Sequence, residues 1–232
     1  MDEAIGSSRR TFIGQVGSLA SGAALAASVP AVARASSGVP PHILAREEWD
    51  LSWLDRLASG TDRAVFDWPS LGDPADAIVL QMASRYIENC AAAYRPGTYQ
   101  VRVVLNIRTT AVPSALNDAM WERYQLGAEY GTKDPTTQQP ALRNPFMYRA
   151  PSPVAGIVLP NLADLRDAGA IVLVCDFALG NLAKRLAAKT NTATEDVHRT
   201  LRSGFLPGAF AVPSGIFGLA RAQNAGCALV RL

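Results

Sequence analysis

Short apolar runs alternate with longer amphipathic stretches from residue 62 to the end of the chain, and this alternation limits the fold more than any other feature. The runs at 63–67, 101–107, 170–175, 209–212 and 227–231 have strand length, and the best of them are apolar throughout rather than at alternate positions. That pattern belongs to strands covered on both faces. Between them lie helical stretches at 74–94, 115–127, 160–168, 177–188, 191–202 and 214–225. Such alternation predicts an α/β architecture, a layered and mainly parallel sheet with helices on both faces. Asp73-Pro74 places a capping side chain ahead of a first-turn proline. The 74–94 helix is expected to bury Ile78, Met82, Ala83, Tyr86 and Ile87, and Leu116, Met120, Trp121 and Tyr124 mark the next one.

Two segments fall outside this rhythm. Residues 36–61 mix Ser, Gly, Pro, Trp and charge, and read as a leader with a short helix at 47–57. Residues 128–152 hold Gly131, Pro135, Pro140, Pro145 and Pro151. That is too much proline for a core element, so they read as a Pro-rich surface insertion. The domain is therefore expected at 62–232.

The first 35 residues read as an address. Ser8-Arg9-Arg10-Thr11-Phe12-Ile13 precedes a small-residue apolar run at 16–32 and then Ala33-Arg34-Ala35. A charged start, a weakly apolar middle and an A-x-A site form an export signal, with cleavage expected after Ala35. Paired Arg9 and Arg10 ahead of Thr-Phe-Ile resemble the twin-arginine (Tat) consensus. The sequence thus predicts a periplasmic or otherwise exported protein. No later stretch is long and apolar enough to span a membrane, so none is expected after cleavage. The balance of 22 Lys and Arg against 20 Asp and Glu gives no electrostatic case for nucleic acid.

The C-terminal third carries a resemblance. Val172-Leu173-Val174-Cys175-Asp176-Phe177, then Leu206-Pro207-Gly208, Val212-Pro213-Ser214-Gly215, and Gln223 with Gly226, are similar to the DsrE/DsrF-like family. The match is close over about 60 residues and holds only in outline from Arg63. The resemblance implies a small oligomeric α/β protein, and a cysteine in the position of Cys175 that carries a persulfide in the sulfur-relay members. It also implies a homo-oligomer and a sulfur donor or acceptor protein as partner; the 74–94 and 115–127 helices, which carry aromatic and Met residues beyond one core stripe, are the expected interface.

Cys175 is the leading candidate on chemical grounds too. It ends an apolar strand where a helix begins, the edge at which α/β sheets place ligands. Free N–H groups and the helix dipole lower a thiol pKa there, while Asp176 and burial raise it. The balance predicts a pKa of about 7–8. A buried, inert core cysteine is the competing reading. Cys90 and Cys227 sit in apolar company and read as core; a Cys175–Cys227 bridge requires adjacent strands. Arg108, Arg143 and Asn144 are placed by the pattern above the same edge, as a candidate anion site. His42 and His198 lack a second ligand at metal spacing, so no metal site is expected. His198 is read as lying on a polar helix face. No phosphate-binding Gly-rich loop or G-x-S-x-G string is present, and no cofactor is predicted.

Three functions fit this reading. The chain is an exported thiol protein that accepts or relays sulfane sulfur on Cys175. Alternatively it is a non-catalytic oligomeric module for a small ligand or partner, or a subunit exported together with a partner. Thiol reactivity separates the first from the others.

Overall fold

The strand-length apolar runs do pair with one another. In the computed structural model, which describes residues 49–149 and 159–232, β1 (Asp62–Trp68), β2 (Val101–Ile107), β3 (Ile171–Cys175), β4 (Ala209–Val212) and β5 (Ala228–Val230) form one sheet. Its order is β4-β3-β2-β1-β5, and every pairing is parallel. Helices cover both faces, as the apolar strands require. No helix among the described residues is long and apolar enough to cross a membrane. The export signal with Arg9 and Arg10, the position after Ala35, and His42 lie outside the described residues.

Period-two alternation divides the core. Ala64, Phe66 and Trp68 of β1, Val103, Leu105 and Ile107 of β2, and Val172 and Val174 of β3 point into one apolar cluster. Helices α2 (Ile78–Ala93), α5 (Leu162–Asp167), α6 (Asp176–Thr190) and α7 (Thr194–Ser203) supply its other wall. The intervening residues Val65, Val104, Ile171 and Leu173 point into a second cluster. That face is closed by α1 (Trp53–Ala58) and α8 (Gly215–Asn224). The α8 helix connects β4 to β5 and touches all five strands on its way back across the sheet.

Three expectations change. Asp73 does cap, its Oδ1 accepting from Ala75 N at 2.8 Å, but Pro74–Asp76 closes as a separate 3-10 turn and α2 starts at Ile78. The break resets the helical phase. Val79, Leu80, Ala83 and Cys90 are buried, Met82, Tyr86 and Ile87 pack beside them, and Ile78 is 48% exposed.

The described part of the leader, residues 49–61, is not separate from the domain. Its short helix begins at Trp53, and Trp53 and Leu57 are fully buried in the second cluster.

The described part of the Pro-rich stretch, up to residue 149, is not a surface appendage either. After a 3-10 turn (Thr109–Ala115), α3 (Asp118–Arg123) and α4 (Leu126–Tyr130), it returns through a 3-10 turn at Pro145–Met147. This turn buries Phe146 against Trp68 and Trp121, with ring centroids 5.5 and 6.4 Å away. Proline excludes regular ladders but not burial, because a turn capped by a side chain satisfies its own backbone.

Candidate functional site

Three neighbouring strands end at one cleft. Arg108 follows β2, Cys175 ends β3, and Ser214 and Gly215 follow β4. The cleft has a volume of about 310 Å³, and Phe177, Ala178 and Ile216 give it an apolar lining beside Cys175 and Arg108. Two helices start here. Cys175 is the N-cap of α6, its Sγ accepting from Ala178 N at 3.4 Å, and Ser214 is the N-cap of α8, its Oγ accepting from Phe217 N at 3.1 Å. The sulfur therefore lies between two helix N-termini, whose partial positive charge favours an anion.

The thiol is nevertheless not activated in its resting state. Cys175 is 5% exposed. Burial pushes its pKa above the ordinary thiol value and the Asp176 carboxylate adds to this, while N–H groups of Ala178, Gly215 and Phe177 oppose the rise without overcoming it. This reverses the sequence-based expectation of about 7–8. The donors are present as expected, but removing the sulfur from water outweighs them.

Asp176 does serve a structural role away from the cleft. Fully buried, it pairs through Oδ1 with His198 Nε2 at 3.0 Å and lies 3.5 Å from Arg202 Nε, both on α7. His198 is accordingly 8% exposed, a correction to its placement on a polar face. It bonds the Asp176 carboxylate. Among the described residues, no group of three His, Cys, Asp or Glu side chains is arranged to hold a metal.

Of the three residues expected to bind an anion, only Arg108 lines this cleft. Arg143 pairs with Asp134 at 3.1 Å and stacks over Tyr148, with its guanidinium 4.1 Å from the ring centroid. Asn144 is fully buried and structural. Its Nδ2 donates to the carbonyls of Ser114 and Leu116, both at 2.7 Å, and its Oδ1 caps the turn by accepting from Phe146 N at 3.0 Å. The expectation failed because the segment folds back against Trp121 and not over Cys175.

The three thiols are free and buried. Cys175 ends β3 whereas Cys227 precedes β5, and β2 and β1 lie between those strands. Three strand spacings amount to about 14 Å, which excludes a bridge.

A polar group behind the cleft was not singled out by the sequence. Asp67 and Asn106 are register partners on β1 and β2. Arg108 Nε and Nη2 each lie 2.7 Å from a different Asp67 oxygen, and Asn106 Nδ2 donates to Asp67 Oδ1 at 3.4 Å. All three alternate with the apolar positions of the first cluster, so they face α8. The signal was there to read: Arg-Ala-Val-Phe-Asp and Val-Val-Leu-Asn-Ile each carry one polar residue near a buried strand's carboxyl end.

The α8 helix approaches this group through Gly215 and Gly218. A Cβ on Gly218 would stand 2.5 Å from Asn106 Oδ1, and one on Gly215 would stand 2.6 Å from Arg108 Cβ. Gly218→Ala is thus expected to force α8 off the sheet and destabilise the protein by about 1–3 kcal/mol. A urea midpoint equal to that of the unsubstituted protein would show that Asn106 yields freely.

No protein-family model matches the chain, and no curated protein matches it. Among solved structures the chain is similar to a protein of unknown function from Methanobacterium thermoautotrophicum. Identity is 16%, the match covers 74% of this chain and 99% of that one, and the TM-score is 0.36.

Proposed function

We propose that this is an exported thiol protein that accepts sulfane sulfur on Cys175, holding it as a persulfide. The observation that carries the reading is the position of Sγ. It forms part of the wall of the cleft, with the backbone N–H of Ala178 donating to it at 3.4 Å and Gly215, at the start of α8, lining the same cleft. That donor, at the first turn of α6, is fixed before reaction, so it stabilises the negative charge that sulfur bears during attack without reorganising. The resemblance of the Val172–Phe177 and Val212–Gly215 strings to DsrE/DsrF-like proteins supports the same chemistry, and the paired Arg9 and Arg10 support export.

The step balances without an external oxidant. Cys175 Sγ attacks the outer sulfur of a persulfide or polysulfide donor as its own proton departs. A new S–S bond forms at Cys175, the donor S–S bond breaks, and the donor leaves as a thiolate that takes the proton. The added sulfur stands about 2 Å farther out than Sγ. That distance carries it from the buried floor into the open cleft, where a second thiol can reach it.

Incubation with polysulfide is expected to add the mass of one sulfur atom at Cys175, and Cys175→Ser is expected to abolish the gain. Because burial raises the thiol pKa, the uptake rate is expected to keep climbing with pH past the ordinary value of about 8.5. If Cys175 gains sulfur only in denaturant, the sulfur-acceptor reading is wrong and the small-ligand-binding module replaces it.

A further inference from the structure

We propose that the cleft takes a small organic sulfur donor with an anionic end, docked on Arg108, and that Asp67 is the positioning residue that aims Arg108. The proposal rests on the sulfur-acceptor reading and specifies its substrate class. Size and lining come first. A cleft of about 310 Å³ walled by Phe177, Ala178 and Ile216 beside Cys175 suits a molecule with a short apolar stem, not a folded domain.

Charge comes second. Arg108 is held by both prongs of its fork, Nε and Nη2, on the two oxygens of Asp67. Its Nη1 makes no hydrogen bond among the described residues. The Arg108 side chain is 25% exposed while that of Asp67 is 4% exposed, and Asp67 does not line the cleft. An incoming anion therefore meets the guanidinium first, with the carboxylate behind it. A bidentate pair of this kind fixes a plane as well as a distance. Arg108 is also near enough to Cys175 for their charges to interact.

Packing comes third. The stem of Arg108 lies against Gly215, where a Cβ would approach Arg108 Cβ to 2.6 Å and Cδ to 2.8 Å. The missing side chain lets α8 start at the cleft beside Cys175 and still seat the arginine. The other arginine of the cleft, Arg185, is turned to Tyr130 Oη at 2.6 Å and lies 3.5 Å from Glu129.

The test compares two methanethiosulfonate reagents of similar size on the folded protein, the anionic sulfonatoethyl and the cationic trimethylammonioethyl compound. In each case the Cys175 thiolate attacks the reagent's sulfenyl sulfur, a mixed disulfide forms and methanesulfinate leaves. Rates at Cys175 are read by mass after peptide mapping. The anionic reagent is expected to react roughly tenfold faster than the cationic one. Arg108→Gln should erase the preference. Arg108→Lys keeps the charge but loses the fork, and should erase most of it. Asp67→Asn distinguishes positioning from bulk charge. It adds net positive charge, so electrostatics alone would raise the preference, whereas loss of aim should lower it.

A preference that survives Arg108→Gln, or that rises in Asp67→Asn, overturns the inference, even while polysulfide uptake at Cys175 persists. Failure of both reagents to modify Cys175 in the folded protein overturns the inference and the sulfur-acceptor reading together.

Discussion

Phe146→Ala is expected to destabilise the protein by about 3–5 kcal/mol, the range for deleting a large aromatic from a tight core. The ring is 1% exposed and packs edge-on to Trp68, with an interplanar angle of 74°, while also touching Trp121. Trp121 is itself tied down, its Nε1 donating to the Pro113 carbonyl at 2.9 Å. Neither partner can move far into the void, because Trp68 Nε1 is bound to the Ser70 carbonyl at 2.8 Å. A surface insertion would behave otherwise, since exposed substitutions change stability by no more than about 0.5 kcal/mol. Urea denaturation of the two proteins decides between these outcomes. A shift inside the smaller range would mean that residues 128–149 do not help to hold the sheet.

That contrast shows where sequence reasoning succeeds and where it stops. A strand such as Ile171–Cys175 is legible because burial on both faces demands uninterrupted apolar residues, and little else does. Helix α8 is legible from Ser214, whose side chain caps it. Irregular backbone gives no comparable periodicity. Phe146 sits in a turn held by Asn144, and nothing about Arg-Asn-Pro-Phe marks its ring as core rather than exposed. Trp53 and Leu57 escaped notice for the same reason. A six-residue helix is too short to show its buried face by period alone, though Trp53 and Leu57 close the second cluster.

The site was half legible. Cys175 and Arg108 stand at strand ends, and a parallel sheet brings all such ends to one edge, so their meeting follows from fold class. The protonation state did not follow. Counting N–H donors gives the correct sign for their effect on the thiol, but the opposing desolvation depends on how closely α6 and α8 seal the sulfur, which only packing determines. Asp67 and Asn106 were missed for a related reason. A lone polar residue in an apolar strand is ambiguous until the register is known, and here the register sets the two side by side.

The same desolvation predicts a marked loss of stability in alkali. Cys227 is 6% exposed and packs in the second cluster beside Leu219 and Ala222. Burial pushes its thiol up to about 11, with the Arg63 charge opposing only in part. In the unfolded chain the same group titrates near 8.5. Above that pH the unfolded state releases its proton while the folded state still holds one, so ionisation draws the equilibrium toward unfolding. The contribution is fully present below about 8.5 and is lost as pH rises through about 11, a swing of about 3 kcal/mol. Cys90, Cys175 and Tyr86, the last pushed up to about 12, are all shifted mainly by burial and act in the same direction. Urea denaturation under reducing conditions at pH of about 8 and 10.5 should show the loss. Cys227→Ala separates its share from the others. The variant starts lower at neutral pH because of the small cavity, but it should lose about 2–3 kcal/mol less than the unsubstituted protein between the two pH values. Equal losses in the two proteins would mean that the Cys227 thiol reaches water in the folded state, and that β5 does not seal the second cluster.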